Sequence, residues 1–471
     1  MYVRREGQKI NRIKFTAAVV AAAVFLMSVT GEQTVGAKES KPAKEIFDVS
    51  TGLSFIQNKN TLTVNADEKE IFTTDEEIDV QDFLLGDVDR DGDRELLILC
   101  KKRGRFGEHR PFWVEGDDSE ISQHIFIYEC DSESITPKWM ASDIGLTVSD
   151  WFYDGNTLTL TDTDGNDSYW KWQSWGLEKA DDVISILAVG DNIIHTPIMN
   201  YAAKNDMNFD FAYERVAPYI RKPDVALFVS ETPLVDRKSA YGDYPTFGTP
   251  CEIAASLSRA GFDIAACATN HIPDRGSYGL ECTLEEYKKN YILPVGIDDG
   301  GYIVKSIKGV RIAFMDYTAV LNSVRTLKEC RDRINCLEEE QAVRKKIREA
   351  KDESDFLIMI VHWGTEYSDE PDEEQKKWTK VFLSEGVDVC LGSHPHVRQT
   401  MERLSMDNHE MIVFYSLGNF FSAQNIEGTD EGTAVYLAIS RNDEKIDVIN
   451  CREYTMRTIH EKGEYYVVLE Q

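Results

Sequence analysis

Positive charge is in short supply in this chain of 471 residues. It has 52 Lys and Arg against 82 Asp and Glu, which gives a formal net charge of −30 at pH 7. Such a surface repels a phosphate backbone and offers it no basic footprint, so nucleic-acid binding is disfavoured. A hydrophobic fraction of 42% with 10% aromatics nevertheless indicates a folded, globular protein.

Histidine and cysteine are also sparse, with nine of each. The cysteines show no CxxC spacing. Several of them, such as Cys267 and Cys390, lie in apolar, strand-like runs, where cysteine is an ordinary core residue. Only Cys330 and Cys336, in the stretch ECRDRINC, are spaced for a local disulfide.

Long apolar runs are missing after the N-terminal region, so nothing later in the chain is predicted to cross a membrane. Residues 1–40 differ, because the basic stretch MYVRREGQKINRIK precedes the apolar run FTAAVVAAAVFLMSV, and small residues end at Ala37. This order predicts a signal peptide, with an N-terminal anchor as the alternative, and therefore an exported protein. Cleavage would leave a mature chain that begins near Glu39.

The chain is too long for one ordinary core, and its residue pattern changes near position 183. Residues 45–180 contain short apolar runs such as FLLGDV, ELLILC and HIFIYEC between clusters of Asp, Gly and Asn. This arrangement predicts an acidic, mostly β domain of antiparallel sheet. We expect a second domain over residues 183–440 and a C-terminal β extension over residues 441–471.

An acidic loop, DVDRDGDRE, lies within the β region. Its carboxylates fall at alternate positions, a spacing that lets them converge on one hard cation while Gly92 permits the sharp turn. A solvated turn is the alternative, but carboxylates this close together repel one another without a cation. The stretch resembles the calcium loops of FG-GAP-type propeller blades, so calcium is the favoured interpretation. Its candidate ligands are Asp87, Asp89, Asp91, Asp93 and Glu95.

From residue 183 onwards, apolar runs such as VISILAVGD, DVALFVSE and FLIMIVHWG mostly alternate with amphipathic stretches such as EEQKKWTKVFLSEG. Strands that are apolar throughout belong to a sheet buried on both faces, so this alternation predicts an α/β architecture. One helix start is especially clear in GTPCEIAASLSRAG. There Thr249 is expected to cap, Pro250 to occupy the first turn, Glu252 to complete a capping box and Gly261 to end the helix.

Polar residues collect where these strands end, which is where ligands bind in open α/β sheets. Each alone has an ordinary explanation as a helix cap, a turn residue or a buried histidine bonded to backbone. The sequence LGSHPH holds two histidines on a stiff turn, with a proline that biases the first towards an extended backbone. Together these residues offer the ligands of a dinuclear site for Mn²⁺, Zn²⁺ or Fe²⁺. They are Asp191, Glu231, Asn270, His271, His362, His394 and His396.

The motifs GDNI, SETPL, TNHIPDRGSYGL, HWGTEY, GSHPH and YSLGNF follow one another in this order. Over roughly residues 183–440, the series resembles the bacterial capsule-synthesis CapA family, which is associated with poly-γ-glutamate capsules. That family belongs to the calcineurin-like metallophosphoesterase superfamily. The resemblance implies a four-layer α/β/β/α sandwich with metals at the strand ends, and it does not extend to the acidic β region.

The resemblance also implies roles for individual residues. Glu231 would bridge two metals, and His271, oriented by Asp274, would assist the leaving group. The remaining ligands would be Asp191 and His396 for one metal, and Asn270, His362 and His394 for the other.

Two departures from the superfamily pattern bear on the reaction. Ile193 stands where phosphoesterases usually have a histidine, and His195, two residues further on, is an extra ligand or a supporting residue. Glu231 replaces the usual bridging aspartate, a change that is common in the capsule family. These departures count against ordinary phosphomonoesterase activity, and amide chemistry is an equal alternative.

Two functions remain open on this evidence. The first is an exported, dinuclear-metal hydrolase or transferase that acts on an anionic capsule or cell-wall polymer, alone or with a membrane capsule-synthesis complex. The second is a non-catalytic accessory protein with a degenerate metal site, in which the β domain serves wall binding or assembly. The first is the leading interpretation. A net charge of −30 keeps the second open, because an acidic protein repels a polyglutamate substrate unless metals and local Lys or Arg neutralise the cleft.

Overall fold

The computed structural model describes residues 44–67, 69–89, 91–106, 120–153, 155, 157–173, 176–180, 183–322, 325–442 and 445–470. The predicted signal or anchor over residues 1–40 lies outside these ranges. Within them, no helix combines the length and the apolar character that crossing a membrane requires.

The first part of the described chain forms three four-stranded antiparallel sheets, each made of consecutive strands. The strands bury alternate side chains, as in Leu53–Asn58, so each sheet presents an apolar face to its neighbour. Leu53 and Phe83 lie in the core between the first two sheets, and Leu97 and Trp151 in the core between the second and third. Strands β1–β12 are Lys44–Asp48, Leu53–Asn58, Thr61–Ala66, Lys69–Thr73, Asp79–Gly86, Glu95–Arg103, Ile121–Asp131, Ser134–Met140, Val148–Tyr153, Leu158–Asp162, Asp167–Gln173 and Gly176–Lys179.

The antiparallel pairing agrees with the sequence prediction for this region. A four-stranded meander is also the form of a propeller blade, but a relationship to propellers stays a prediction.

The remainder of the described chain is built on two larger sheets, of eight and six strands. Strands β13–β28 are Val183–Asn192, Val225–Ser230, Leu234–Val235, Thr249–Pro250, Ile264–Ala266, Leu293–Val295, Ile303–Ile307, Val310–Thr318, Phe356–His362, Val389–Ser393, Met401–Met406, His409–Phe414, Asn419–Phe421, Glu431–Asn442, Lys445–Glu461 and Glu464–Glu470.

The parallel strands are neighbours in both sheets: they form one side of the larger sheet and the centre of the smaller. The larger sheet runs β18-β17-β14-β13-β26-β27-β28, with β25 beside β13, and the smaller runs β19-β20-β21-β22-β24-β23. Strands β13, β14, β17 and β18 are parallel, as are β20, β21, β22 and β24. Their carboxyl ends therefore meet at one edge in each sheet. Residues after 440 continue the larger sheet, because β27 pairs with β26 and β28.

The helices cover the outer faces of the two stacked sheets. Leu227, Ile360 and Leu391 lie in the apolar layer between the sheets. Helices α1–α6 pack on the larger sheet, and α7 and α8 on the smaller, which gives the four-layer α/β/β/α sandwich that the resemblance implied. Helices α1–α8 are Thr196–Ala202, Asp210–Tyr213, Ala217–Ile220, Ile253–Ala260, Gly276–Lys289, Leu327–Cys330, Glu340–Glu353 and Glu373–Ser384, and the short 3₁₀ helices are Lys238–Ala240, Ile272–Arg275 and Arg331–Arg333.

The predicted start of α4 is wrong, although its end is confirmed. Thr249 and Pro250 form a short strand, and the helix begins only at Ile253, with no side-chain cap. The Thr249 hydroxyl is 2.7 Å from that of Thr232, so it is not available as a cap. Gly261 ends the helix in the left-handed region, with φ +113°, as a C-terminal glycine commonly does.

The predicted local disulfide is also wrong. All nine cysteines lie in the described part of the chain, and all are free. The thiol of Cys330 is 3.6 Å from the carbonyl oxygen of Thr326, and that of Cys336 is 3.4 Å from the carbonyl oxygen of Ile334. Each sulfur is therefore directed to a nearby backbone acceptor instead of to the other cysteine.

Candidate metal centre

The six predicted metal ligands meet at the edge where the parallel strands of both sheets end. All six side chains are almost completely buried. The polar ends of buried strands are thus brought together by the sheet order, as expected for an α/β site. The ligands end or follow five strands: Asp191 in β13, Glu231 after β14, Asn270 after β17, His362 in β21, and His394 and His396 after β22.

Glycine at position 190 allows the first of these residues to take its place. A Cβ on Gly190 would lie 1.9 Å from the carbonyl oxygen of Gly418, which no other residue could accommodate without moving the backbone. The close approach lets the amide of Asp191 donate to that same oxygen at 3.0 Å. The GD pair of the GDNI motif therefore holds the backbone of Asp191 against Gly418 of the YSLGNF motif.

Asp191, Glu231 and His396 form one group of ligand atoms, all within 4.8 Å of one another. Nδ1 of His396 is 3.5 Å from Asp191 Oδ2, and Nε2 is 3.6 Å from Glu231 Oε1. The other oxygens, Asp191 Oδ1 and Glu231 Oε2, are buried and have no hydrogen-bond partner in the described part of the chain. Burying unpaired carboxylate oxygens is costly, so a cation bound here fits the site.

His362, Asn270 and His394 form a second group next to the first. Nε2 of His362 is 3.1 Å from both Asn270 Oδ1 and His394 Nδ1. Ser393 Oγ, 2.8 Å from His362 Nδ1, holds the ring in place. Asp191 connects the two groups, since its Oδ1 is 3.8 Å from His362 Nδ1 and its Oδ2 accepts from the His394 amide at 3.1 Å. His362 Nε2, Asn270 Oδ1 and His394 Nδ1 thus converge beside the first group.

Protonation differs between the two groups. Burial opposes a charge on His396, but Glu231 and Asp191 outweigh it and raise the pKa of His396 to about 9. Burial, only partly offset by His396, raises the pKa of Glu231 to about 8. Burial and the neighbouring histidines lower the pKa of His394 to about 3 and that of His362 well below its usual value. The second group is therefore neutral, with lone pairs to offer, whereas in the first group His396 holds a proton that a bound metal would displace.

The turn that contains the two histidines differs from the sequence prediction. His394 has φ +96° and His396 has φ +62°, so His394 is not extended. Backbone of this kind costs about 1–3 kcal/mol in a residue other than glycine and persists where the surroundings hold it. Here the bond from the His394 amide to Asp191 and a bond from Tyr367 N to Pro395 O, 2.8 Å long, hold the turn and override the bias of Pro395.

His271 lies beside the metal groups and is paired with Asp274 as expected. Its Nδ1 is 2.8 Å from Asp274 Oδ2, which also accepts from the amide of Phe247 at 2.7 Å. Burial opposes a charge on His271, but Asp274 and Glu231 outweigh it and raise its pKa. His271 lines a cavity of about 180 Å³ together with Glu231 and His396.

His195 lines the same cavity, but it makes a structural contact. Its Nδ1 accepts from the amide of Ala423 at 3.3 Å. Its ring packs edge-on against Phe247, with centroids 5.5 Å apart. Among the described residues, His195 is absent from the groups of converging ligand atoms that contain His394 and His396. This favours a supporting role for His195 over a role as an extra metal ligand.

The sequence prediction missed two residues at this edge. Asn419 Oδ1 is 3.1 Å from His396 Nδ1, and Glu366 offers an oxygen within 4.8 Å of ligand atoms of His394 and His396. Asn419 lies in YSLGNF and Glu366 in HWGTEY, so both positions were within the motifs that carried the resemblance. Glu366 follows β21 in a loop and Asn419 begins β25, and only the fold shows that both return to the site.

The acidic loop also brings carboxylates together, about one hundred residues earlier in the chain. Asp87, Asp89 and Glu95 place ligand atoms within 4.8 Å of one another, and so do Asp91, Glu95 and Glu129. Oδ1 of Asp87 and Oδ1 of Asp89 are buried and have no hydrogen-bond partner among the described residues. Asp93 belongs to neither group, and its amide donates to Asp91 Oδ1 at 2.9 Å.

A lysine already lies among these carboxylates. Nζ of Lys138 is 2.6 Å from Asp89 Oδ2, 2.9 Å from Glu95 Oε1 and 2.8 Å from Glu129 Oε1. The ammonium therefore neutralises part of the charge that was expected to require calcium. Lys138 lies on β8, 43 residues from Glu95, so no local sequence pattern could have predicted this contact.

A family model and two similar proteins assign this chain to the same family. Residues 185–424, half of the chain, match the family model described as bacterial capsule synthesis protein PGA_cap. The capsule biosynthesis protein CapA of Bacillus anthracis is 28% identical over 260 residues, which are 52% of this chain and 62% of that protein. The PGA biosynthesis protein CapA of Bacillus subtilis (strain 168) is 27% identical over 274 residues, 56% of this chain and 70% of that protein. The match thus spans less than two thirds of the Bacillus anthracis relative.

The solved structures that resemble this chain do so with low TM-scores. A putative 5'-nucleotidase from Staphylococcus aureus has 15% identity and a TM-score of 0.38, with 57% of this chain and 54% of that chain covered. The calcineurin-like phosphoesterase YfkN from Bacillus subtilis has 15% identity and a TM-score of 0.35, with 58% and 90% covered. Similarity at this level adds nothing to the sandwich fold described above, which rests on the two sheets of this chain.

Proposed function

Because the chain belongs to the bacterial capsule synthesis protein PGA_cap family, we propose that it is an exported, metal-dependent hydrolase or transferase acting on a capsule or cell-wall polymer of the poly-γ-glutamate type. The observation that carries the proposal is the pair of buried, unpaired oxygens on Asp191 and Glu231 beside the neutral histidines His362 and His394. Such an arrangement destabilises a fold unless a cation binds there. The names of the two CapA relatives support the choice of polymer.

The chain's own residues would divide the work of binding two divalent metals, Mn²⁺, Zn²⁺ or Fe²⁺. Metals of this kind supply Lewis acidity at the attacked oxygen. Glu231 would be shared between the two sites, as the resemblance implies. The other ligands would be Asp191 and His396 at one site, and Asn270, His362 and His394 at the other.

His271 would transfer the proton that the reaction requires. Asp274 accepts a hydrogen bond from Nδ1–H of His271. This bond leaves Nε2 to give or take a proton at the cavity. Phe247 packs edge-on against the His271 ring, with centroids 4.7 Å apart, and its amide fixes Asp274. The imidazole is therefore held in one orientation before a substrate arrives.

The lining of the cavity favours an amide bond, such as a γ-glutamyl bond, over a phosphate ester. None of the described residues that line it is Lys or Arg, whereas phosphoryl transfer commonly uses such cations to stabilise charge. Its wall includes the aromatic side chains of Tyr244, Phe247 and Tyr367 and the amide of Gln424. These groups suit a neutral polymer backbone better than a dianionic phosphoryl group.

A non-catalytic accessory protein is the second candidate. The net charge of −30 favours it, since an acidic surface repels a polyanionic chain. In that role the three antiparallel sheets of the N-terminal region would bind the wall or an assembly partner, and the metal centre would only stabilise the fold.

For the acidic loop, we propose that calcium competes with Lys138 for the same carboxylates. The converging atoms of Asp87, Asp89 and Glu95 support a cation site, and so do the unpaired oxygens of the two aspartates. The three contacts of Lys138 show why the loop can also fold with an internal cation in place of calcium.

Incubation of the purified protein with poly-γ-glutamate, with and without Mn²⁺, tests the proposed reaction. We expect the polymer to shorten on size-exclusion chromatography only with metal, and the His271→Ala variant to leave it intact. A phosphomonoester in a parallel reaction distinguishes amide from ester chemistry. If metal-loaded protein leaves both substrates unchanged, the accessory role is the better account.

A further inference from the structure

The loop that follows β21 is tied down over the histidine turn, residues 394–396. Tyr367 N donates to Pro395 O at 2.8 Å. Further along the loop, Gln399 Nε2 donates to the carbonyl oxygens of Ser368 and Glu370, at 2.9 and 3.1 Å. These bonds join the loop to the turn and to the residues that follow it. The loop is therefore a fixed wall of the site, although it carries exposed side chains.

Glu366 is carried by this loop, next to the residue that bonds to Pro395. One of its carboxylate oxygens lies within 4.8 Å of ligand nitrogens of His394 and His396. Glu366 is exposed, whereas the two histidines are 4% and 3% exposed. The carboxylate thus faces the histidine turn from the solvent side, while Asp191 and Glu231 face it from the interior.

Among the described residues, no Lys or Arg accounts for this arrangement. In the described part of the chain, Glu366 forms no ion pair with Lys or Arg, and the cavity that it lines contains neither. It shares that cavity with Glu231, which has an unpaired oxygen and is 1% exposed. Carboxylates that share a small, partly enclosed space repel one another unless a cation lies between them. Ile193, on the same cavity wall, offers no donor atom.

We propose that Glu366 is a further metal ligand: its carboxylate lies within reach of both His394 and His396 and would complete the site of one of the two ions from the solvent side. The inference rests on the proposed function in one respect, because the same two histidines are ligands there. It adds a carboxylate donor that closes the centre from the solvent side. A metal bound this way would cross-link the loop after β21 to the histidine turn.

Titration with Co²⁺ tests the inference, because its visible absorption spectrum depends on the ligand set. Isothermal titration calorimetry and absorption spectra would be recorded for wild type, Glu366→Gln and Glu366→Asp. Glu370→Gln is the matched control, on the same loop and with an exposed side chain. We expect Glu366→Gln to lose one ion or to bind it at least about tenfold more weakly, with an altered spectrum. Glu366→Asp should bind with intermediate affinity, and Glu370→Gln should match wild type.

Each outcome separates this inference from the proposed function. Equal Co²⁺ affinity and an unchanged spectrum in Glu366→Gln would overturn the inference, even if activity fell, because Glu366 would then act on the substrate. Wild type that binds no Co²⁺ would overturn the proposed function and the inference together. Equal melting temperatures of the metal-free proteins establish that the variant is folded, since Glu366 is exposed.

Discussion

Lys138→Met should lower the free energy of unfolding by about 3 kcal/mol at pH 7. The change removes an ammonium that is 10% exposed and lies within 2.9 Å of carboxylates on Asp89, Glu95 and Glu129. Burial alone would lower the pKa of Lys138, but hydrogen bonds to these carboxylates hold it well above its usual value. The ammonium is therefore charged at neutral pH, and its loss leaves the carboxylates unbalanced.

The magnitude follows mainly from Glu95, which is fully buried, whereas Asp89 and Glu129 are 19% and 42% exposed. Without the lysine, Glu95 takes up a proton to avoid an unpaired buried charge. Its ordinary pKa is 4.5, so full protonation at pH 7 costs about 3.4 kcal/mol at 1.36 kcal/mol per pH unit, a part of which burial already costs wild type by raising this pKa. Each lost pair with an exposed carboxylate adds less than about 1 kcal/mol, and the apolar methionine recovers part of the total.

Urea unfolding followed by tryptophan fluorescence measures the loss, since Lys138 Nζ is 5.5 Å from the centre of the Trp172 ring. Lys138→Arg is the control that keeps the charge. Burial outweighs Lys138 and raises the pKa of Glu95 already in wild type, and loss of the ammonium should raise it further, so the added penalty in the Met variant is absent below pH 4.5 and grows as the pH rises. Calcium should restore stability to the Met variant more than to wild type. A loss below about 1 kcal/mol at pH 7 would refute the reasoning.

Asp274→Asn should reduce turnover by about 10²–10⁴-fold with metal content unchanged, because the catalytic imidazole loses its orienting carboxylate; an unchanged pH–rate profile would count against this role. Glu385→Gln should cost about 1 kcal/mol at pH 7, because burial alone would raise the pKa of Glu385 but Arg348 and Arg344 together outweigh it and lower that pKa. A lowered pKa stabilises the fold above the unfolded value of 4.5 and ceases to do so as the pH falls through the folded value, so melting curves of variant and wild type should converge below pH 4.5. A difference that persists in acid would contradict this. N-terminal sequencing of protein from the culture fluid should start near Glu39, and an intact Met1 on membrane-bound protein would indicate an anchor instead.

The convergence of the candidate metal ligands could be predicted from the sequence because these residues lie at or just beyond the ends of apolar strands. Where two sheets that contain parallel strands stack, the carboxyl ends of those strands meet at one edge whatever the details of the loops. Asp191 and His362 are the last or nearly the last residues of β13 and β21, so the strand pattern alone located them. The same strand runs predicted an α/β architecture, and the resemblance implied its four-layer α/β/β/α form.

The parts that could not be predicted depend on contacts between residues far apart in the chain. Lys138 reaches the acidic loop from another strand, and nothing in the loop's own spacing indicates it. Thr249 has the sequence of a helix cap, yet its hydroxyl is bonded to Thr232 on a preceding segment. Glu366 approaches His394 only because its loop folds back across the histidine turn. In each case a tertiary contact outweighs the local preference.

The most direct test of the central claim is the metal content of the protein. Wild type, His394→Ala and His396→Ala would be incubated with excess Mn²⁺ or Zn²⁺, freed of unbound metal by gel filtration and analysed by mass spectrometry of the elements. The account predicts two ions per chain in wild type, and the loss or weakening of one ion in each variant, since each histidine contributes to a different group of donors. Wild type that retains no transition metal, or variants that retain the full wild-type content, would contradict it.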